Sequence, residues 1–297
     1  MSWQAHTLSF LLRRTFKPRL ARARTIEQVR KAFHFGTPPL PASCDAVPDV
    51  VGGVSGEWVT ARGVKPAATM LYLHGGGYIA CSPQSHRAAT SAFALAGFRT
   101  FSPDYRLAPE HPFPAAVDDA VAVYRGLLAD TAANRIVVAG DSAGGGLALA
   151  LLLSLRDQGV PLPAAAALFS PLTDLAATGN SIRDNSRRCA MFDSESISRA
   201  AEHYLGDRDR HMPLASPLYA DLRGLPPLLI HVGANETLLD DSRRLAERAQ
   251  AAGAQIELKV WPAVPHVWQL MHRWIPEGRE SLAQASSFLR RYSAASV

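Results

Sequence analysis

Short apolar runs and amphipathic stretches alternate along most of this chain. From about residue 66 onward, Met70–Leu73, Phe98–Asp104, Arg135–Ala139, Ala165–Phe169, Leu228–Val232 and Ile256–Trp261 have the length and composition of strands. Most are unbroken apolar runs, the pattern expected when helices cover both faces of a sheet. Helical segments lie between them, such as 143–158, closed by Gly159, and 238–252, closed by Gly253. A glycine just past a helix end supplies the left-handed cap. Strands alternating with helices predict an α/β fold with a mostly parallel, doubly wound sheet. Residues 45–63, with Val50-Val51, a glycine pair and Glu57–Thr60, suit an antiparallel hairpin leading into that sheet.

Two stretches break the alternation. Residues 1–45 begin helical: Thr25 and Gln28 have the spacing of a capping box, and Ile26, Val29 and Phe33 share one face. A proline-rich connector over 37–41 follows. Residues 176–215 carry no strand pattern, are polar and arginine-rich, and read as helical around 194–204. Together the two stretches predict a helical cap over the C-terminal edge of the sheet.

Composition narrows the function classes. The 297 residues suffice for one large core with an accessory piece, and 47% hydrophobic with 19% charged residues describes an ordinary globular enzyme. The net charge of +5 suggests a nucleic-acid partner until it is located. Residues 1–40 hold eight basic side chains (Arg13, Arg14, Lys17, Arg19, Arg22, Arg24, Arg30, Lys31) against Glu27 alone, or +7. The remainder has 23 basic and 25 acidic groups, or −2. The basicity therefore belongs to an N-terminal element, read as the solvated face of a surface helix, and no nucleic-acid partner is expected. The apolar run Leu8–Leu12 is far short of the ~20 residues of a membrane span and precedes most of the basic residues, the reverse of a signal peptide. No stable membrane insertion is expected. Three scattered cysteines, Cys44, Cys81 and Cys189, imply no disulfide framework, so the cytoplasm is the default location. Metal-binding spacings are absent, and no cofactor is expected.

Two motifs carry chemistry. Gly140-Asp-Ser142-Ala-Gly144 follows a strand and opens a helix, the setting in which a G-x-S-x-G serine is a nucleophile. Such a turn strains the serine backbone and aims helix N-terminal N–H groups at the reacting oxygen. Chance gives this pattern ~0.1 times in such a chain, so alone it is moderate evidence. His74-Gly-Gly-Gly-Tyr78 follows another strand and matches the HGGG loop whose bare backbone can approach an oxyanion. Its chance expectation is ~0.003. Neither glycine run continues as a phosphate-binding loop.

A serine nucleophile needs a base, which should come after an acid in chain order. Of ten histidines, His266 stands in the loop after the last strand, with His272 one to two turns further on. His266 is the candidate base. For the acid, Glu236 emerges at the end of the strand Leu228–Val232, and Asp240 and Asp241 sit a turn into the next helix. A carboxylate that orients an imidazole projects from the loop rim, which favours Glu236, with Asp240 the alternative.

With these residues together the sequence resembles the bacterial hormone-sensitive-lipase-like esterases, an α/β-hydrolase family. The shared marks are His74–Tyr78, Gly140–Gly145, and Asp104-Tyr-Arg-Leu-Ala-Pro-Glu110 with Phe113-Pro-Ala115; the likeness spans nearly the whole chain. The resemblance implies an α/β-hydrolase catalytic domain, residues 46–175 and 216–297, beneath the cap of residues 1–45 and 176–215. It implies oxyanion donors at the N–H groups of Gly76, Gly77 and Ala143. The family's acid segment often reads D-P-L-x-D, and aligning Glu236–Asp240 with it puts Glu236 in the catalytic slot, with Glu for Asp and Thr237 for Pro. The segment 104–110 reads as architectural and His74 as structural. A short- to medium-chain carboxylic ester is the implied small-molecule substrate, and a homodimer through the edge near the last strand is the implied assembly. Pocket-lining candidates are Tyr78, Met191, Phe192, Tyr204 and Trp268. A lactonase or amidase with the same triad stays open, because pocket shape sets leaving-group preference; His266 speaks against a non-catalytic receptor on this fold.

Overall fold

The structure, a computed structural model, describes residues 2–293. Eight strands form one sheet: β1 (Cys44–Val51), β2 (Val54–Ala61), β3 (Ala68–Leu73), β4 (Phe98–Pro103), β5 (Ile136–Asp141), β6 (Ala165–Phe169), β7 (Leu228–Gly233) and β8 (Ile256–Trp261). Their spatial order is β1-β2-β4-β3-β5-β6-β7-β8. The six strands from β3 to β8 are parallel, and the hairpin β1–β2 joins β4 antiparallel. This is the mostly parallel α/β sheet that the alternating pattern predicted, with the antiparallel hairpin leading into it.

The strands are apolar at nearly every position because both faces are covered. Successive side chains point to opposite faces. Met70 and Tyr72 of β3 meet α3 (Arg87–Leu95) and α9 (Pro276–Ser293) through Phe93, Leu282 and Phe288. Leu71 and Leu73 face the other way, into the core built by α4 (Ala115–Leu128), α5 (Ala143–Asp157) and α8 (Leu239–Ala251). Gly159 and Gly253, at φ 66° and 81°, stand just beyond α5 and α8 where left-handed caps were expected.

Helices α1 (Trp3–Arg22) and α2 (Ile26–Phe33) lie against the segment that holds α6 (Asn180–Asp184) and α7 (Ser194–Leu205). Phe16 of α1 meets Phe33 at 5.5 Å and Phe192 at 6.0 Å between ring centres. Thr25 caps α2 by accepting from Gln28 N at 3.3 Å, but Gln28 accepts from Arg24 N rather than Thr25 N, so the capping box is half formed. Several basic side chains do more than face solvent. Arg13 and Lys17 donate to carbonyls of residues 186–189, and Arg30 donates to Ile79 O, Ala108 O and Glu110. These carbonyls lie in turns and loops, outside any helix or strand ladder, and the cations supply their donors.

Candidate active site

β5 ends at Asp141 and α5 begins at Ala143, which leaves Ser142 alone in the turn. Its backbone, at φ 54° and ψ −122°, lies where non-glycine residues are rarely found, a strain of roughly 1–3 kcal/mol that the surroundings must hold. They do so through the main chain: Ser142 N donates to Phe169 O (2.8 Å), and Ser142 O accepts from Leu172 N (2.9 Å) and Gly146 N (3.1 Å). The turn is too tight for side chains on either flank. A Cβ on Gly140 would lie 2.3 Å from Gly144 O, and one on Gly144 would lie 2.1 Å from Leu73 O.

That contact brings α5 against the end of β3, where the triple-glycine loop starts. Gly76 takes φ 121° and a Cβ there would lie 2.1 Å from Ala80 O. Ile79 N and Ala80 N donate back to Gly76 O, closing the loop on itself. Gly76 and Gly77 line the same cavity as Ser142. The N–H groups of Gly76, Gly77 and Ala143 donate to no protein acceptor among the described residues. The loop is held from behind: Tyr105 Oη donates to His74 O at 2.7 Å, its ring stacks on the imidazole at 4.2 Å, and Ala108 N donates to Tyr78 O. Burial, with His86 nearby, pushes the His74 pKa down to about 3, so this imidazole is neutral near pH 7. The architectural reading of 104–110 and of His74 agrees with these contacts.

On the other side of Ser142, two parallel strands beyond β6 deliver a buried pair. Glu236 follows β7 and His266 follows β8. His266 Nδ1 donates to Glu236 Oε2 at 2.5 Å. Glu236 Oε1 accepts from Ser170 Oγ at 2.8 Å and from Gly233 N at 2.5 Å. Donation from Nδ1 to a carboxylate fixes the tautomer and leaves Nε2 as an acceptor. His266 Nε2 is buried and has no hydrogen-bond partner among the described residues, Ser142 Oγ included.

Comparisons with known proteins bear on this arrangement directly. Residues 70–270 match the α/β-hydrolase fold family. An acetyl-hydrolase of Streptomyces hygroscopicus is 47% identical over 268 residues, covering 89% of this chain and 87% of its own. An esterase of Acinetobacter venetianus is 36% identical, covering 80% and 79%. The crystal structure of an esterase from the bacterial hormone-sensitive lipase family superposes with a TM-score of 0.93 at 44% identity, over 99% of both chains. This chain is a bacterial hormone-sensitive-lipase-like esterase.

Within this esterase it is Glu236, not Asp240, that meets the histidine. Asp240 Oδ2 instead accepts from Ser181 N at 2.8 Å. Asp241 Oδ2 accepts from Thr173 N (2.8 Å) and Asp174 N (2.9 Å), while its Oδ1 is buried without a partner. Burial, then the charge of Asp174, pushes the Asp241 pKa up to about 7.

Two cavities meet the site. One, of about 60 Å³, opens on Ser142 and is walled by Leu20, Val29, Phe33, Leu172, Phe192 and Ile197 among others. The second, of about 210 Å³, reaches His266 and Glu236 from the other side, past His6, Phe10, Arg13 and Arg188. Phe192 walls the first, its ring edge-on at 4.9 Å to the His266 imidazole that lines the second. Of the five aromatic and methionine side chains expected on the pocket wall, only Phe192 is there. Tyr78 and Tyr204 stack face to face at 3.9 Å in the buried layer, and Met191 is buried in the core. Trp268 lies in a separate cluster with Trp261, donating Nε1–H to Glu277 O. The wall is instead drawn largely from α1, α2 and α7, where Leu20, Val29, Phe33 and Ile197 stand beside polar Arg199 and His203.

Ser170 is a functional residue that the sequence did not single out. Residues 169–172 tie the two halves of the site together, because Phe169 O and Leu172 N hold Ser142 while Ser170 Oγ holds Glu236. Its only sequence signal is its place at the end of β6, between β5 and β7.

Proposed function

We propose that this esterase hydrolyses short- to medium-chain carboxylic esters through Ser142, His266 and Glu236, with a covalent acyl-enzyme intermediate. The observation that carries the reading is the buried His266, bonded at Nδ1 to Glu236 and unpartnered at Nε2. Ser142 Oγ attacks the ester carbonyl as Nε2 takes its proton. The tetrahedral oxyanion lies among the N–H groups of Gly76, Gly77 and Ala143, which have no protein acceptor among the described residues. Collapse breaks the C–O bond, and His266 returns the proton to the departing alcohol. Water then gives its proton to Nε2, its oxygen attacks the acyl carbon, and the acid leaves as Ser142 regains the proton. Glu236 stabilises the imidazolium in both halves.

Short acyl groups fit the small cavity at Ser142, and a 47%-identical relative bears the name acetyl-hydrolase. The contacts of α1 and α2 with residues 180–205 support residues 1–45 and 176–215 as a cap over the catalytic domain. The three free cysteines support a cytoplasmic location. We further propose a homodimer through β8, the sheet's edge strand, which light scattering would refute by giving a monomer mass. The test of the function is Ser142→Ala, run on a panel of esters, lactones and amides. Loss of at least ~10⁴-fold in kcat with an unchanged fold is expected. Retained ester turnover overturns the assignment, and a lactone or amide preferred over every ester overturns the substrate class.

A further inference from the structure

α1 is apolar on both sides. Ala5, Leu12, Phe16 and Leu20 are buried in the core. On the outward side Trp3, Phe10 and Leu11 are 73%, 57% and 49% exposed. Spacings of i, i+7 and i+8 put these three on one face of a helix. Arg14 shares that face, with its guanidinium 5.2 Å from the centre of the Phe10 ring. Arg22, two turns further on, is also exposed, and α1 holds five basic residues and no acidic one. A third aromatic joins at the N-terminal end. Trp274, 69% exposed, adjoins Ile275, which packs with Ala5, and Ser2 bonds to Glu277.

Large apolar side chains on an acid-free, cationic helix face are the elements of interfacial binding: aromatic rings enter the headgroup boundary and cations meet anionic lipid. We propose that the outward face of α1, with Trp274, docks this esterase on an anionic lipid surface. Charge complementarity selects that occupant. A second copy bound through this face about a two-fold axis would bring two cationic, acid-free helices together, with no α1 carboxylate to pair Arg14 and Arg22. Docking has a consequence for the site, which rests on the esterase reading: Phe10 and Arg13 rim the larger cavity leading to His266 and Glu236, so its mouth would open toward the lipid. Amphiphilic esters held in a membrane are then the substrates delivered.

The test is co-sedimentation of the full chain with phosphatidylglycerol vesicles and with phosphatidylcholine vesicles, at low and high salt. Binding to phosphatidylglycerol alone, lost at high salt, is expected. Trp3→Ser/Leu11→Ser and Arg14→Glu/Arg22→Glu should each weaken partitioning at least tenfold, while hydrolysis of a dissolved short-chain ester stays at the wild-type rate. That separate readout distinguishes failure of docking from failure of the esterase reading. Absence of binding, equal binding to phosphatidylcholine, or variants that bind like the wild type overturns the proposal. So does conversion of a wild-type dimer to a monomer by Trp3→Ser/Leu11→Ser, which would show the face covered by a second copy.

Discussion

Glu236 reaches His266 because it leaves β7 at the loop rim and folds back onto Gly233 N, while Asp240 and Asp241 are already engaged by Ser181, Thr173 and Asp174. Three carboxylates within six positions look alike in sequence, since each suits the first turn of a helix. What separates them is the partner each finds across the fold, and those partners lie thirty to nearly seventy residues away. Ser142 was legible because a strained turn demands its neighbouring glycines, and His266 because one loop position satisfied the required chain order. Glu236→Gln should lower kcat by ~10³–10⁴-fold, the cost of losing the orienting carboxylate, while Asp240→Asn stays within a few-fold. Steady-state kinetics on both variants decides between them. Ser170→Ala removes one bond to the Glu236 carboxylate and should lower kcat about tenfold with little change in KM. Asp241 makes a prediction about pH. Its pKa rises from 3.8 to about 7 on folding, so between those values the folded state binds the extra proton. Stability contributed by that proton is present at low pH and is lost as pH rises toward and through 7. Asp241→Asn keeps an acceptor for Thr173 and Asp174 without the charge. Its thermal midpoint, relative to wild type, should therefore climb as pH is raised from 5 to 8.

At the scale of elements, the sheet was legible because burial on both faces writes itself as unbroken apolar runs, and the helix ends because Gly159 and Gly253 mark them. The cavity wall was not legible. Tyr78 and Trp268 are large residues near the chemistry in sequence and Tyr204 lies in the cap segment, yet stacking and core burial claim all three. The wall is formed where α1, α2 and α7 converge, a contact between segments about 170 residues apart that no local period records. A close backbone approach joins α5 to the end of β3. Gly144→Ala would press a methyl group into the carbonyls of Leu73 and His74, and neither strand nor helix can yield independently. A loss of about 3 kcal/mol or more is expected in denaturant unfolding.

Across the whole molecule, the charge asymmetry between residues 1–40 and the rest acquires a structural meaning. Arg13, Lys17 and Arg30 fasten the N-terminal helices to carbonyls of the cap segment and of the oxyanion-loop region, while Arg14 and Arg22 remain free on the outer face. Phe192, held by Phe16 and Phe33, closes the small cavity against His266. Phe192→Ala should join that cavity to the larger one and move the optimum of kcat/KM toward longer acyl chains, as a chain-length series of esters would show. All of this presupposes that Ser142 becomes acylated. The most direct test is to treat the enzyme with a diethyl phosphoryl organophosphate and map the adduct by mass spectrometry. One phosphoryl group on Ser142, formed in step with loss of esterase activity and absent from Ser142→Ala, is the expected result. Full inactivation with the adduct on another residue, or persistent activity after Ser142 is modified, would contradict the account.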